Sequence, residues 1–394
     1  MNRQTLNKLL GDLSSEQFLS EYWQKKPLLI RNALPAYNSP ISADELAGLA
    51  CDEEVESRLV LEEGGSKPWE LRCGPFDEDE FCSLPATHWT LLVQEANKHL
   101  PQLAPLLAKF NFIPSWWFDD IMISYAPDKG SVGPHYDQYD VFLLQVEGKK
   151  NWKISTQAVN DCNYLDNTEL RIMKQFEAEH EWELQPGDML YLPPGVAHHG
   201  VAVGDSMTFS IGYRALSQSE MLTSFIDFSL EQRTNQHFYR DPDHTQQLHP
   251  GEITEQTISH VTELLNDISF DKELVGNWFA QYVTESSHHD SALTPPDLPY
   301  STAECQQQLA SCGSLCRSEL CRFNFIRTAN NEIELFIAGR HYHFNEEHAA
   351  FAMLICDQTS YQHHELTDHL HDSHCLRLLQ DWVNCGILYF PYDD

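Results

Sequence analysis

Two short passages far apart in the chain constrain its fold more than any other feature, because both carry metal-ligand side chains between turn-forming residues. The first is Gly133-Pro134-His135-Tyr136-Asp137, and the second runs from Pro186-Gly187-Asp188 through Pro193-Pro194-Gly195 to His198. Two imidazoles and one carboxylate form the ligand set that holds a catalytic iron(II) ion while leaving coordination positions free. If these residues act together, the chain must fold so that the two passages meet.

The His-x-Asp/Glu pattern alone is weak evidence for a metal site. With 20 His and 59 acidic residues among 394, about three occurrences are expected by chance (20 × 59/394). Three are present, at His135/Asp137, His288/Asp290 and His363/Glu365. Alternation in an extended segment places His135, Asp137 and Tyr139 on one face, so both ligands of the first pair can point into one cavity. The second pair lies in a predicted linker and the third in a polar stretch, so we favour the first.

The third ligand is predicted to be His198, which a turn, a short strand and a second turn bring back towards the first pair. His199 is the rival, because the two histidines are adjacent and the sequence does not orient them. The remaining alternative is that both are histidines at the rim of the fold.

Closely spaced strand patterns, separated by Gly and Pro, occupy the segment from Asp120 to Phe209. The predicted strands are 121–125, 141–146, 151–154, 189–192 and 207–212. This spacing is typical of an antiparallel barrel or double-sheet jelly roll. The preceding ~100 residues mix helical and loop patterns, with a helix start at Ser14 and a short buried strand after Pro27.

After Arg214 the pattern changes to helical spacing, over 218–234, 253–268 and 271–284. A linker is predicted over Ser286 to Ser301, followed by helices and a β-hairpin in the order of a winged-helix-like domain. We therefore predict an α+β multidomain chain with domains at 1–215, 216–300 and 301–394.

Charge and composition exclude several classes of function. The 25 basic and 59 acidic residues give 25 − 59 = −34, which disfavours direct nucleic-acid binding. Such a surface would attract a basic protein, although high acidity is also common in soluble proteins that have no such partner. Residues 301–394 hold 5 Arg, no Lys and 13 Asp/Glu, so 5 − 13 = −8 also disfavours DNA binding by the last domain. The apolar runs are shorter than the ~20 residues of a membrane helix, so no membrane span is expected.

Cysteine usage indicates a reduced, cytoplasmic protein, because the 11 Cys are odd in number and scattered, and the N-terminus lacks the apolar core of a secretion signal. Cys312, Cys316 and Cys321 lack the Cys-x-x-Cys spacing of a zinc knuckle. We expect them to be buried free thiols.

The two ligand passages resemble the JmjC-type cupin oxygenases, which use iron(II), O₂ and 2-oxoglutarate, and the resemblance runs from about Pro27 to Arg214. The whole-chain arrangement is closer still to the ribosomal oxygenases of that group, particularly the bacterial members that hydroxylate an arginine of a large-subunit ribosomal protein. The segments that carry this resemblance are 117–124, 133–142 and 210–214.

The resemblance implies a double-stranded β-helix, also called a cupin or JmjC jelly roll, followed by a helical bundle that forms a homodimer. It implies His135, Asp137 and His198 as the metal and catalytic residues. Lys150 matches the position that pairs with the distal carboxylate of 2-oxoglutarate, and a buried cation suits that carboxylate on charge grounds as well. Ser124 is expected to help hold 2-oxoglutarate, and Lys149 and Lys153 to face solvent or the rim.

Four further positions match substrate contacts of the family: Asp120, Met122, Tyr139 and Ser210. An arginine side chain needs a carboxylate for its guanidinium, polar acceptors beside it and apolar walls along its methylene stem, and these residues supply those parts. The expected function is hydroxylation of an arginine in a basic ribosomal protein. The alternatives are the same chemistry on a histidine or methyl-lysine of another basic protein, and a non-catalytic metal-binding cupin that acts as an adaptor.

Overall fold

The computed structural model describes residues 9–157, 164–233, 238–242, 246, 249, 251–285 and 293–391. They form two compact units: one comprises the described residues up to Ala215 together with Leu293, and the other comprises the rest from Leu216 onward. The three-domain division with boundaries at 215 and 300 stays a prediction.

The first unit is built on a nine-stranded antiparallel sheet. Its strands are β1 Leu28–Ile30, β2 Ser57–Leu61, β3 Glu70–Cys73, β4 Trp89–Val93, β5 Phe118–Ala126, β6 Val141–Ser155, β7 His180–Leu184, β8 Met189–Leu192 and β9 Ala197–Tyr213. The order is β1-β8-β6-β9-β5-β4-β2-β3, with β7 pairing on β6. The long strands β6 and β9 pair along most of their length, so they form the frame on which the ligand-bearing segments lie.

Short helices precede and flank this sheet: α1 Ser15–Glu21, α2 Ala43–Leu49, α3 Glu78–Cys82, α4 Ala96–His99 and α5 Ala104–Leu107. The predicted helix start is confirmed, because the Ser14 side chain accepts the Gln17 backbone N–H and the Gln17 side chain accepts that of Ser14. Phe18 of α1 is fully buried, and its ring contacts those of Phe142 and Tyr191. The helical preface is therefore packed into the same core as the sheet.

Alternation along the strands divides the apolar residues between two cores. Ile121, Ile123 and Phe142 belong to the large core shared with the helices. Leu143 and Trp152 belong to a smaller core on the other face of the sheet. Met122 and Ser124, which alternate with Ile121 and Ile123 on β5, therefore point to that second face. The candidate metal ligands lie on the same face.

The second unit contains α6 Gln218–Glu231, α7 Glu255–Asn266, α8 Lys272–Thr284, α9 Thr302–Cys312, α10 Ala349–Asp357, α11 His363–Leu366 and α12 Ser373–Asn384. Two three-stranded sheets accompany them: β11 Phe323–Arg327, β12 Ile333–Ile337 and β13 Arg340–Phe344 in one, and β10 Ser314–Arg317, β14 Ser360–Gln362 and β15 Leu388–Tyr389 in the other. The helical region predicted after Arg214 and the mixed domain after it are thus both present.

Several predicted elements differ from the structure. Residues 141–146 and 151–154 were expected to be separate strands but belong to one strand, β6, in which Gly148 takes a φ of +62°. The first half of β9, before Met207, was missed. Part of the predicted linker, 286–292, lies outside the described residues. None of the helices in the described ranges combines the length and hydrophobicity needed to cross a lipid bilayer.

The three cysteines considered for zinc lie in α9 (Cys312), in β10 (Cys316) and in the loop before β11 (Cys321). Cys321 is buried, as expected, but Cys312 and Cys316 are only half-buried. Within the described residues they do not come together as a metal-type cluster.

Candidate active site

The two ligand passages meet through their backbones. The N–H of His135 donates to the carbonyl of His198 at 3.0 Å, and the N–H of His198 donates back at 2.8 Å. The N–H of Gly195 donates to the carbonyl of Asp137 at 2.7 Å. These three hydrogen bonds bring both imidazoles and the carboxylate together. They lie on the inner face of the sheet, which is the face opposite the large core.

The tautomer of both histidines follows from their partners. Nδ1 of His135 lies 2.9 Å from the carbonyl oxygen of Gly133, and Nδ1 of His198 lies 3.0 Å from that of Val196. A carbonyl oxygen only accepts, so each Nδ1 carries a proton and each neutral ring keeps a lone pair on Nε2. This is the form in which histidine binds a metal.

Both Nε2 atoms point to the Asp137 carboxylate. The distances to Oδ2 are 3.9 Å from His135 and 3.7 Å from His198, and the two rings lie 4.2 Å apart between centroids. Burial and the neighbouring His135 lower the pKa of His198 to about 4, so that ring is neutral at physiological pH. The donor set of two nitrogens and one oxygen fits iron(II).

The adjacent histidine is oriented differently. His199 follows His198 on β9 and therefore points to the other side of the strand, where its Nε2 lies 3.1 Å from Oγ of Ser131. Of the other His-x-acid pairs, His288/Asp290 lies outside the described residues, and Glu365 accepts the backbone N–H of Gln362 in a helix cap.

Lys150 is a buried cation on β6. Its side chain is 7% exposed, its Nζ lies 5.1 Å from the ring centre of Trp152, and burial lowers its pKa to about 8. Among the ion pairs of the described residues, none involves Lys150, whereas Lys149 pairs with Glu183 at 2.8 Å and is 47% exposed. The interior thus contains a positive charge that an anionic ligand would neutralise.

Ser124 lies on the same inner face of β5. It is 5% exposed, and its hydroxyl donates to the carbonyl oxygen of Thr208 at 3.3 Å. The register pairs Ser124 with Thr208 on β9. A second hydroxyl, that of Thr208, donates to the side chain of Gln145 at 3.2 Å, so the neighbourhood of Ser124 is polar.

Asp120 lies where the pairing of β5 with β9 is irregular. Phe118 pairs with Tyr213 and Ile121 pairs with Ile211, so one extra residue lies on the β5 side. Such bulges re-aim side chains beside functional sites. Oδ2 of Asp120 accepts the N–H of Glu95 at 3.0 Å, yet burial raises the pKa of the carboxyl to about 6.

The other predicted substrate contacts lie around this carboxyl. Met122 and Ser210 are register partners across β5 and β9. The Tyr139 ring is 39% exposed, but its hydroxyl end is buried near Asp137 and Asp120, and burial followed by these charges raises its pKa. Met122 and Ser210 are thus neighbours across the two strands, and Tyr139 lies near Asp120.

Two residues near the candidate site were missed by the sequence analysis. Trp152, whose ring centre lies 5.8 Å from that of His198, could have been found by alternation with Lys150. Arg58 on β2 lies close enough to act on the pKa of Tyr139, and its Nε is buried without a hydrogen bond in the described structure. Nothing in the local sequence marks Arg58, because only the order of strands brings β2 alongside.

Two protein-family models match the chain. One is described as a JmjC domain and matches residues 105–221. The other is described as a ROXA-like winged helix and matches residues 263–389. Together they place a JmjC-type sheet domain before a winged-helix domain.

Relatives match over most of the chain. The chain is 32% identical over 380 residues to a protein of Escherichia coli (strain K12) named ribosomal protein uL16 3-hydroxylase, a match that covers 96% of this chain and 98% of the relative. It is 35% identical over 288 residues to a probable ribosomal oxygenase of Haemophilus influenzae, covering 70% and 69%. It is also similar to a solved structure of the E. coli ribosomal oxygenase YcfD in complex with cobalt and 2-oxoglutarate, with a TM-score of 0.81, 31% identity, and coverage of 96% and 99%.

Proposed function

Because the chain belongs to the JmjC-type ribosomal oxygenases, we propose that it is an iron(II)- and 2-oxoglutarate-dependent oxygenase that hydroxylates an arginine side chain of ribosomal protein uL16. The observation that carries the proposal is the convergence of two Nε2 lone pairs and the Asp137 carboxylate at one point. His135, Asp137 and His198 would hold the metal.

When bound, iron(II) supplies the oxidising chemistry by which O₂ and 2-oxoglutarate place one oxygen atom in a C–H bond and release succinate and carbon dioxide. The protein holds the ligands in place. The carbonyls of Gly133 and Val196 fix the orientation of the two imidazoles, and such support is a large part of metal affinity.

Lys150 and Ser124 would bind 2-oxoglutarate. The buried ammonium of Lys150 has no carboxylate partner among the described ion pairs, so the distal carboxylate of the cosubstrate would neutralise it. The buried hydroxyl of Ser124 lies on the same inner face of the sheet. Charge complementarity thus selects a dicarboxylate rather than a neutral ketone.

Asp120, Met122, Tyr139 and Ser210 would receive the substrate side chain. A guanidinium carries a charge at every physiological pH and pairs with a carboxylate, whereas the thioether and phenol ring suit its methylene stem. This set favours arginine over a neutral histidine. The net charge of −34 agrees with a basic ribosomal protein as the partner, which the enzyme would meet in the cytoplasm.

The helical region would form a homodimer. Among the described residues, it exposes several large apolar side chains at 41–62% of their surface, namely Leu222, Leu230, Ile258, Val261, Leu265 and Phe270. Exposed apolar side chains of this size are available for burial in a protein interface. Light scattering should give twice the monomer mass for the wild type, and a smaller mass for Leu265→Asp; a monomeric wild type would contradict this part of the proposal.

The test of the activity is incubation of the iron-loaded protein with 2-oxoglutarate, O₂ and a uL16 peptide, with succinate and peptide mass as readouts. We expect succinate and one added oxygen on an arginine, both absent without O₂ and in His135→Ala. Peptides in which each arginine is replaced by lysine or histidine identify the target. Oxygen on a histidine or loss of a methyl group from lysine would support the alternative substrates, and neither product from any peptide would favour a binding adaptor.

A further inference from the structure

A second group of metal-type ligands lies in the unit that begins at Leu216. It comprises His348, Asp372 and Cys375, whose ligand atoms all lie within 4.8 Å of one another. His348 ends a short 3₁₀ turn, Glu346–His348, directly before α10. Asp372 caps the N-terminus of α12, and Cys375 lies in the first turn of that helix. The group shares no residue with the candidate iron centre.

The lone pair of His348 points into this group. Asn345 Oδ1 accepts the backbone N–H of His348, which identifies that atom as the oxygen, and the same Oδ1 lies 2.8 Å from Nδ1 of the ring. Nδ1 must therefore be the protonated nitrogen, and the neutral ring presents a bare Nε2. This Nε2 is buried and lies 3.3 Å from Oδ1 of Asp372.

When the ring is neutral, Nε2 and the carboxylate face each other as two acceptors, and a cation bound between them would satisfy both. The carboxylate of Asp372 is firmly held, since Oδ1 accepts the N–H groups of His374 at 2.8 Å and Cys375 at 3.0 Å. The Cys375 side chain is 1% exposed and adjoins the same carboxylate. A cysteine binds zinc as the thiolate, so an ion bound here would replace the proton of the thiol.

We propose that His348, Asp372 and Cys375 bind a zinc ion that ties the start of α10 to the start of α12. Nitrogen, carboxylate and thiolate ligands together are the donor set of zinc sites. In a tetrahedral site with bonds of about 2.0–2.1 Å, nitrogen and oxygen ligands lie about 3.3 Å apart, which is the separation observed between His348 and Asp372.

The charges around the group favour a divalent cation. The carboxylate and the thiolate balance the two charges of zinc, which offsets the unfavourable position of a cation at a helix N-terminus. Glu347, which precedes His348 in the chain, adds negative potential near Cys375. His374, whose ring centre is 5.4 Å from that of His348, is a further nitrogen donor beside the site. The fourth coordination position belongs to that ring or to water.

A protonated His348 is the competing interpretation. An imidazolium would donate to Asp372, and the buried thiol would then donate to the same carboxylate instead of binding a metal. The two interpretations differ in whether Cys375 becomes a thiolate ligand, and that difference is spectroscopic. Cobalt(II) reports it, since a cobalt–thiolate bond gives charge-transfer absorption in the near ultraviolet that nitrogen and oxygen ligands do not give.

The experiment titrates metal-free full-length protein, under reducing conditions, with cobalt(II) and then with zinc. The variants are His348→Ala, Cys375→Ser, and Cys385→Ser as a matched control, because Cys385 is a half-buried thiol at the opposite end of α12. His135→Ala removes metal binding at the candidate iron centre. One equivalent of metal bound by this variant therefore reports only the second site.

We expect the thiolate band in the wild type, in His135→Ala and in Cys385→Ser. It should be absent in Cys375→Ser, and zinc should bind at least about tenfold more weakly in His348→Ala than in the wild type. The partly exposed His348 provides a variant that does not disturb the core. Absence of the band in the wild type, its persistence in Cys375→Ser, or unchanged zinc affinity in His348→Ala would each overturn the site.

Discussion

Nε2 of His198 lies 3.7 Å from Oδ2 of Asp137, although the two residues belong to passages that only the pairing of the sheet brings together. The ring is held by the carbonyl of Val196 and the carboxylate segment by the N–H of Gly195, so both ligands are fixed by the same turn. A metal site assembled this way depends on each ligand but not on the neighbouring His199.

Replacing a ligand should therefore abolish metal-dependent turnover. We expect Asp137→Ala and His198→Ala to lower kcat/KM by more than about 100-fold and to reduce iron binding, since three ligands are the minimum for this site. His199→Gln is the matched control, because His199 points to Ser131 and should retain activity within a few-fold. Equal losses in His198→Ala and His199→Gln, measured as succinate formed, would contradict the assignment.

Lys150→Met should weaken 2-oxoglutarate binding by about 100-fold or more, because removing one partner of a buried ion pair costs about 3–5 kcal/mol. Peptide affinity should change little. Lys149→Met is the control: its ion pair with Glu183 is exposed, and such pairs contribute less than about 1 kcal/mol. Calorimetric titration with 2-oxoglutarate measures the affinity of each variant and so distinguishes Lys150→Met from Lys149→Met.

The same lysine gives the cosubstrate a pH dependence. Its pKa of about 8 in the absence of ligand means that the ammonium is lost as pH rises through this value, so 2-oxoglutarate affinity should fall above about pH 8. A flat profile between pH 7 and 9.5 would argue that another group binds the carboxylate.

Part of the site was predictable from the sequence and part was not. The two-residue period of an extended chain is enough to place His135, Asp137 and Tyr139 on one face. The orientation of His198 relative to His199 is set by the register of β9 against β6, and register depends on contacts distant in sequence. Arg58 belongs to β2, which β5 and β4 separate from β9 in the sheet. Its position near the site therefore depends on strand order, and no local pattern in the sequence indicates it.

Prediction of the strands from the sequence was limited in the same way. Strand cores such as Met189–Leu192 were predicted because they are continuous apolar runs. The first half of β9 was missed because its residues, Gly200 and Gly204 among them, carry little strand propensity and are held by pairing with β6. The proposed zinc site contains one cysteine, Cys375, beside a histidine and an aspartate, so the spacing of the cysteines could not suggest it.

Asp120 should make peptide binding depend on pH. Burial raises the pKa of its carboxyl to about 6, so it is largely neutral at pH 5 and ionised at pH 7. A cationic side chain binds the ionised form, so affinity should rise by up to about tenfold across that interval. In Asp120→Asn affinity should be low and independent of pH, as measured by fluorescence anisotropy of a labelled peptide.

Asp119→Asn is the control for this effect. Its carboxylate is half-exposed and pairs with Arg214 at 3.4 Å, so this change removes an adjacent charge without removing the buried one. The rise between pH 5 and 7 should persist in Asp119→Asn. Its disappearance there, or its persistence in Asp120→Asn, would assign the dependence to another group.

Replacing Gly148 should strongly destabilise the sheet of the first unit. It has a φ of +62° in β6, and a Cβ at this position would overlap the carbonyl oxygen of Asp205 on β9. Gly204 has a similar φ of +70° but open space around it. Gly204→Ala should therefore cost only the left-handed strain, about 1–2 kcal/mol of unfolding free energy. Gly148→Ala should cost more than about 3 kcal/mol, because β9 must also move away. Urea denaturation of the two variants measures this difference, and equal losses would show that the β6–β9 contact adapts to the added methyl group.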